Sequence, residues 1–237
     1  MLRQGSRGAE RGKTSCWLNI AQVKTHWLHY KIFKGIFKCR ELKFPTCPCH
    51  SSLQSFVISD RYNSLSSFGL DIFPKFCSLK INMCGNIKSL SIWEGHELVI
   101  LALEIKECLN FANSPSGGLP ALNLSLLKVH DFLHLKSLPE NMDTHLPSLQ
   151  ILDIANCYQV ESFPGGLPTN MNCLAIDAFE KLIANRKQWG LQRLHYLNQL
   201  LLSSYKKKKK FIIVLSWLQG REVLSWGGHP EVLALFL

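Results

Sequence analysis

One short frame of residue classes returns along the chain: apolar, two variable positions, apolar, one variable position, Ile or Val, two variable positions, then Cys or an aromatic. It reads cleanly at Phe76, Leu79, Ile81 and Cys84, and again at Ile100, Leu103, Ile105 and Cys108. Later copies are Leu124, Leu127, Val129 and Phe132, then Leu149, Leu152, Ile154 and Cys157, then Met171, Leu174, Ile176 and Phe179. Upstream, Leu53, Phe56 and Ile58 fit, with Arg61 in the cysteine slot. A poorer copy surrounds Ile36 and Cys39, where Lys31 and Lys34 hold the leading slots. With the Ile/Val as anchor, positions 36, 58, 81, 105, 129, 154 and 176 stand 22, 23, 24, 24, 25 and 22 residues apart. Chance periodicity in a generic α/β domain is a poor account of six such spacings.

Each slot has a physical task. The alternation Leu152-Asp153-Ile154 is the period of two of a short strand, with Leu152 and Ile154 turned into a core and Asp153 turned out. The Cys that follows turns the chain off the strand, where a small polar side chain can satisfy backbone groups. A further apolar residue about six positions on (Ile87, Phe111, Leu135, Val160, Leu182) closes the core beneath that turn. Breakers come next: Leu138-Pro139, Phe163-Pro164, and Gly117-Gly118-Leu119-Pro120, which recurs as Gly165-Gly166-Leu167-Pro168. The return segments are therefore expected to be irregular or extended, not long helices. A single repeat cannot bury its own apolar face, but stacked neighbours build a continuous core. Repeats of this length lie in the leucine-rich window. The expected fold is an α/β solenoid: a right-handed leucine-rich-repeat horseshoe or arc with one short parallel strand per repeat and mostly irregular convex segments. About seven repeats fill residues 31–202, between a basic, poorly ordered segment 1–30 and an unrelated Lys-run and apolar tail at 203–237.

The formal charge of +10 suggests a polyanionic partner until it is divided along the chain. Residues 1–35 hold seven Lys/Arg and one Glu, and residues 203–237 hold six and two. The interval 36–202 holds fourteen of each sign. The repeats are thus electrically neutral, which argues against nucleic acid as their ligand. Nine cysteines, an odd number, do not read as a small disulfide scaffold. Trp17 to Phe37 is interrupted by Lys24, His26, Lys31 and Lys34, and the apolar run 211–218 is far shorter than the ~20 residues of a membrane span. The expectation is a reducing, cytoplasmic setting, with nuclear import through Lys206 to Lys210 as a variant of it. The sequon Asn123-Leu124-Ser125 has meaning only in a secreted chain.

The junctions between repeats carry a more specific likeness. Ser137-Leu138-Pro139-Glu140 with His145-Leu146-Pro147-Ser148-Leu149 resembles a repeat junction of plant nucleotide-binding leucine-rich-repeat disease-resistance proteins of the coiled-coil class. The run from Val160 through Glu161-Ser162-Phe163-Pro164 to Pro168 is similar to the next junction. Lys181-Leu182-Ile183-Ala184-Asn185-Arg186 with Gln188-Trp189-Gly190-Leu191 is similar to late-repeat wording, and Cys47-Pro48-Cys49-His50 with Ser52-Leu53-Gln54-Ser55 to an earlier junction. The resemblance covers about residues 31–200. It implies repeats that help hold a nucleotide-binding switch domain inactive and that take part in sensing pathogen effectors or altered host proteins. No such switch domain is read in this sequence, so the expectation is a truncated form, with a non-functional gene product or decoy fragment as the alternative.

Apparent chemical motifs do not hold up. Gly12-Lys13-Thr14 looks like the end of a phosphate-binding loop, but Arg7 stands where its first glycine belongs and no buried strand precedes it. Cys39, Cys47, Cys49 and His50 lack the paired C-x-x-C arms of a zinc site. The nine histidines are scattered, and no nucleophile, base and orienter can be assembled, so neither an enzyme nor a cofactor or metal is expected. The basic tails leave a distant alternative, a polyanion or membrane-surface binder, in which Lys206 to Lys210 before an apolar run would give at most a weak membrane-surface role.

The candidate binding residues are those beside the anchors on the concave face: Lys80, Asn82, Glu104, Lys106, Lys128, His130, Asp153 and Asp177. Mixed charge suits a protein partner: a pathogen effector, a guarded host protein, or a nucleotide-binding switch domain in trans. Repeat arrays need polar caps, and neither flank reads as one. An isolated chain of residues 50–202 is therefore expected to be marginal or to aggregate. A soluble, monomeric, cooperative melt would contradict this.

Overall fold

The computed structural model describes residues 32–37, 54–59, 66–70, 75, 77–92, 98–111, 118–177, 180–204, 209–218 and 221–226. Residues 1–30, the Gly12-Lys13-Thr14 and Cys39/Cys47/Cys49/His50 motifs, and Lys206 to Lys208 lie outside that set.

Each repeat of the frame forms one strand. They are β1 (Ile32–Phe37), β2 (Ser55–Ser59), β4 (Ser78–Asn82), β6 (Ala102–Lys106), β7 (Leu126–His130), β8 (Ile151–Ala155), β9 (Cys173–Asp177) and β10 (Gln199–Ser204). Two short strands, β3 (Ser67–Gly69) and β5 (Ser89–Ser91), pair in parallel as a small second sheet on the return segments. Neighbouring strands of the main set run parallel, with the anchors in one row: Ile36, Ile58, Ile81, Ile105, Val129, Ile154 and Ile176. The weak first copy thus joins the sheet, with a shift in register between Phe33 and Ile36. This is a parallel-strand solenoid with little helix, as the repeat frame requires.

Leu202 extends the anchor row beyond the seven anchors read from the sequence, because β10 pairs in register with β9 through Leu200–Leu174 and Leu202–Ile176. Leu197, Leu200 and Leu202 repeat the frame with Leu in place of the anchor Ile, and all three are buried. The sheet then changes character. Strand β11 (Lys209–Leu218) lies antiparallel to β10, and β12 (Arg221–Trp226) antiparallel to β11, making ten strands in all.

The core follows from the slots. Leu79, Leu103, Leu127, Leu152, Leu174 and Leu200 form one inner row, and Ile100, Leu124, Leu149 and Met171 fill the leading slot, all buried. The closing residues Ile87, Phe111, Leu135, Val160 and Leu182 are buried beneath the turns. Among the described residues the return segments hold short helices, α1 (Met142–His145) and α2 (Glu180–Ala184), with 3-10 turns at Arg186–Gln188 and Leu191–Arg193. Aromatic pairs tie one repeat to the next: Phe111 meets Phe132 edge-on at 5.3 Å, and Phe163 meets Trp189 at 5.5 Å. Gly118 and Gly166, at φ 96° and 95°, place Leu119 and Leu167 in the core. A side chain at Gly118 would collide with His145 and would approach the Glu140 carbonyl at 2.8 Å.

Two ladders of backbone bonds hold the stack. At the strand starts one carbonyl accepts two successive N–H groups of the next repeat: Leu101 O from Ser125 and Leu126 at 2.8 and 3.1 Å, and Ser125 O from Gln150 and Ile151 at 3.0 and 2.9 Å. At the strand ends Met83, Glu107, Asp131 and Asn156 are left-handed, with φ between 53° and 62°. That conformation costs a non-glycine residue about 1–2 kcal/mol. It is offset because each donates its N–H to the next strand, to Lys106 O, His130 O, Ala155 O and Asp177 O at 3.0, 3.1, 2.9 and 3.2 Å. The cysteine follows directly, and its thiol donates back to the carbonyl two residues earlier: Cys84 to Asn82 O at 3.4 Å, Cys108 to Lys106 O at 3.3 Å, Cys157 to Ala155 O at 3.3 Å.

Among the described residues the packing leaves a gap. A small apolar cavity of about 30 Å³ is lined by Leu103, Ile105, Phe111, Leu127, Val129 and Leu135 among others. It lies where Val129 interrupts the row of isoleucines. Val129→Ile adds the missing methylene and is expected to raise stability by roughly 0.5–1 kcal/mol, whereas Leu152→Ala, in a filled region, should cost about 2–5 kcal/mol. Urea midpoints of the full chain give both. A loss on Val129→Ile would mean that the gap is not available to the new methyl.

Candidate interaction surface

Because strands pair in register and side chains alternate, every residue that is not in a core row stands in a row on the solvent side of the sheet. The middle row runs Val57, Lys80, Glu104, Lys128, Asp153, Ala175 and Leu201. The row toward the strand ends runs Ser59, Asn82, Lys106, His130, Ala155, Asp177 and Ser203. All eight candidates from the sequence fall in these two rows. Lys80, Glu104, Lys128 and Asp153 share one row, and Asn82, Lys106, His130 and Asp177 share the other. Seven are half-buried and Asp177 is exposed.

Neighbours in these rows neutralise one another. Lys80 Nζ lies 2.8 Å from Glu104 Oε1, and Lys128 Nζ 3.7 Å from Asp153 Oδ2. His130 Nε2 lies 3.0 Å from Asp153 Oδ1. It meets no acceptor in hydrogen-bonding alignment, so the contact is an ion pair only when the imidazole is protonated. Burial by itself would raise the Asp153 carboxyl. The His130 side chain, then Lys128 and Lys106, outweigh burial and hold it below the ordinary carboxylate value.

The row nearest the strand starts was not among the sequence candidates. It runs Ser55, Ser78, Ala102, Leu126, Ile151, Cys173 and Gln199, and its middle is apolar. Ile151 is 38% exposed, and Leu101, whose carbonyl takes the Leu126 N–H, is 45% exposed. The signal was present: Leu126 and Ile151 precede the core Leu127 and Leu152, where a half-buried strand ordinarily carries a polar residue.

The thiols divide by position. Burial pushes Cys157 up to about 12, and the neighbouring Cys84 side chain, then burial, raise Cys108. Cys173, on the solvent side, is raised by burial and by Asp153. Among the described residues no group of three or more His, Cys, Asp or Glu could hold a metal ion, and no helix is long and apolar enough to cross a membrane.

The chain is 36% identical over 170 residues to an Arabidopsis thaliana protein named as a disease resistance protein. The match covers 68% of this chain but only 12% of that relative's length. No family model matches the chain, and no solved structure matches it.

A carboxyl depressed in the folded state stabilises the fold above its unfolded pKa, and that contribution is lost as pH falls through the folded value. Asp153→Asn is therefore expected to lower stability near neutral pH, with the gap to the parent closing as pH falls below the ordinary carboxylate range. Denaturant midpoints across that range measure it. A gap independent of pH would show that the depressed carboxyl adds nothing to the fold.

Proposed function

We propose that the solvent side of β2 to β10 is a protein-recognition surface, and that the chain acts as a repeat module in plant defence, by docking and without catalysis. The observation that carries this reading is the cancellation of charge within the rows. Lys80, Lys106 and Lys128 are matched in number by Glu104, Asp153 and Asp177, and cross-strand contacts pair most of them. A polyanion is bound by a surface of one sign, and such a surface is absent from these rows. Beside the paired charges lie Leu126, half-buried, and Ile151, exposed, the arrangement of an apolar anchor with a polar rim that protein interfaces favour.

The likeness to a disease resistance protein supports the defence setting. The partner classes are those the resemblance implies: a pathogen effector, a guarded host protein, or a nucleotide-binding switch region supplied in trans. The setting is the cytoplasm. Recognition then rests on apolar contact at Leu126 and Ile151, with the paired charges setting orientation at the rim.

Expressed in leaf tissue with a proximity-labelling tag, the full chain is expected to label a defined set of proteins. Leu126→Thr with Ile151→Thr keeps strand preference while removing the apolar anchor. It should cut that labelling by about tenfold, equivalent to about 1.4 kcal/mol of binding. Lys136→Glu, on a return segment, should leave it intact. Labelling no greater than an inert control, or identical labelling by the Thr pair, would defeat the proposal.

A further inference from the structure

A second surface lies at the opposite margin of the sheet, where the strands end. After Cys84, Cys108 and Cys157 the chain folds over a tight turn: Ile87 N–H donates to Cys84 O at 3.2 Å, Phe111 to Cys108 O at 3.0 Å, Val160 to Cys157 O at 3.1 Å, and after Phe132 it bends at the same offset without that bond. The tips of such turns ordinarily carry Gly, Asn, Asp or Ser, which suit the backbone and face water. At the second tip position every side chain is polar, Asn86, Asn110, His134 and Gln159, and the two asparagines obey the rule. The first position does so only once, at Gly85. In the next three repeats it is Leu109, Leu133 and Tyr158, which are 48%, 50% and 45% exposed.

These three side chains stand at the same offset from Ile105, Val129 and Ile154, which pair in register. They therefore repeat at the inter-strand spacing of about 4.8 Å and span roughly 10 Å along the solenoid. An α-helix advances about 5.4 Å per turn, so a helix laid along this margin brings one side chain per turn over each repeat. Its contact positions would be spaced i, i+4, i+7.

The flanks define the rest of the ligand. On the strand side lies the left-handed row Glu107, Asp131 and Asn156. Glu107 is exposed and in no ion pair among the described residues, and Asp131 Oδ1 accepts the Asn156 amide at 2.7 Å. On the outer side Asn110, His134 and Gln159 carry no carboxylate and no lysine or arginine. A negative border beside an apolar ridge disfavours an anionic lipid surface and favours cations on the partner.

We propose that Leu109, Leu133 and Tyr158 form a docking edge for an amphipathic helix of a partner protein, with basic residues along the flank that faces Glu107. This surface is separate from the solvent side of the sheet and does not depend on it.

The probe is a pair of designed helical peptides of about 18 residues, long enough to hold helix in water. Both carry Leu at i, i+4, i+7 and i+11, and one has Lys, the other Glu, along one flank. Fluorescence anisotropy with the full chain is expected to show the Lys peptide binding at least about tenfold more tightly. Glu107→Lys should remove or reverse that preference. Leu109→Ser with Leu133→Ser and Tyr158→Ser should abolish binding, and Leu133→Asn, a natural turn residue, should weaken it on its own. Leu126→Thr with Ile151→Thr should leave it unchanged, which keeps this result apart from the one above. Equal binding of the two peptides, binding that survives the triple substitution, or a self-association of the chain lost in the triple variant would each overturn the proposal.

Discussion

Everything in this molecule depends on in-register stacking of short parallel strands. A strand of five residues has too little apolar surface to hold itself in water, and a parallel pair cannot close through a hairpin. Stability comes only when each Leu/Ile pair of inner residues meets the same pair above and below. That demand fixes the spacing of the anchors, and lets the return segments vary by a few residues because only their ends must arrive in register. It also explains the doubled bonds at the strand starts. A carbonyl such as Leu101 O, taking two N–H groups of the following repeat, sets the phase of the next strand before its core residues engage.

The strand ends are set by a matching constraint. The chain must leave the sheet sharply, and it does so through a left-handed residue followed by a buried thiol or aromatic. Met83, Glu107, Asp131 and Asn156 are not glycines, so the conformation is held by bonds to the neighbouring repeat and not by intrinsic freedom. The stack thus stabilises a backbone state that one repeat alone would abandon. At Cys84, Cys108 and Cys157 the small thiol lies inside the turn and donates a hydrogen bond to a strand carbonyl. Phe132 takes the same slot without such a bond and packs on Phe111 instead.

The same periodicity that builds the core also arranges the surface. Every outward residue is brought beside its counterparts, so a sequence that alternates Lys80, Glu104, Lys128 and Asp153 at the repeat spacing becomes a line of paired charges. A row of apolar residues at one offset becomes a continuous strip, and three apolar turn tips become a ridge. Surface chemistry here is therefore read along the solenoid and not along the chain. This favours ligands with a repeat of their own, such as a helix or a strand.

Most of the fold was legible in the residues themselves. The frame marked the inner rows, the closing residues under the turns and the irregular return segments, because burial in a solenoid leaves a strict pattern of apolar slots. Leu197, Leu200 and Leu202 carry the same pattern with Leu in place of the anchor Ile or Val, so the eighth parallel strand departs from the frame at its anchor alone. The candidate face was legible as a list of outward residues, since alternation dictates it. What only the tertiary structure decided was which of them are neighbours and what is left over after they pair. Glu104 and Lys80 are 24 residues apart in sequence and 2.8 Å apart in space, and that pairing neutralises both charges. The sequence by itself determined the period, the core and the sides of the sheet, because these follow from local burial. Register decided the rest, because contacts across repeats are set by stacking and not by any one repeat.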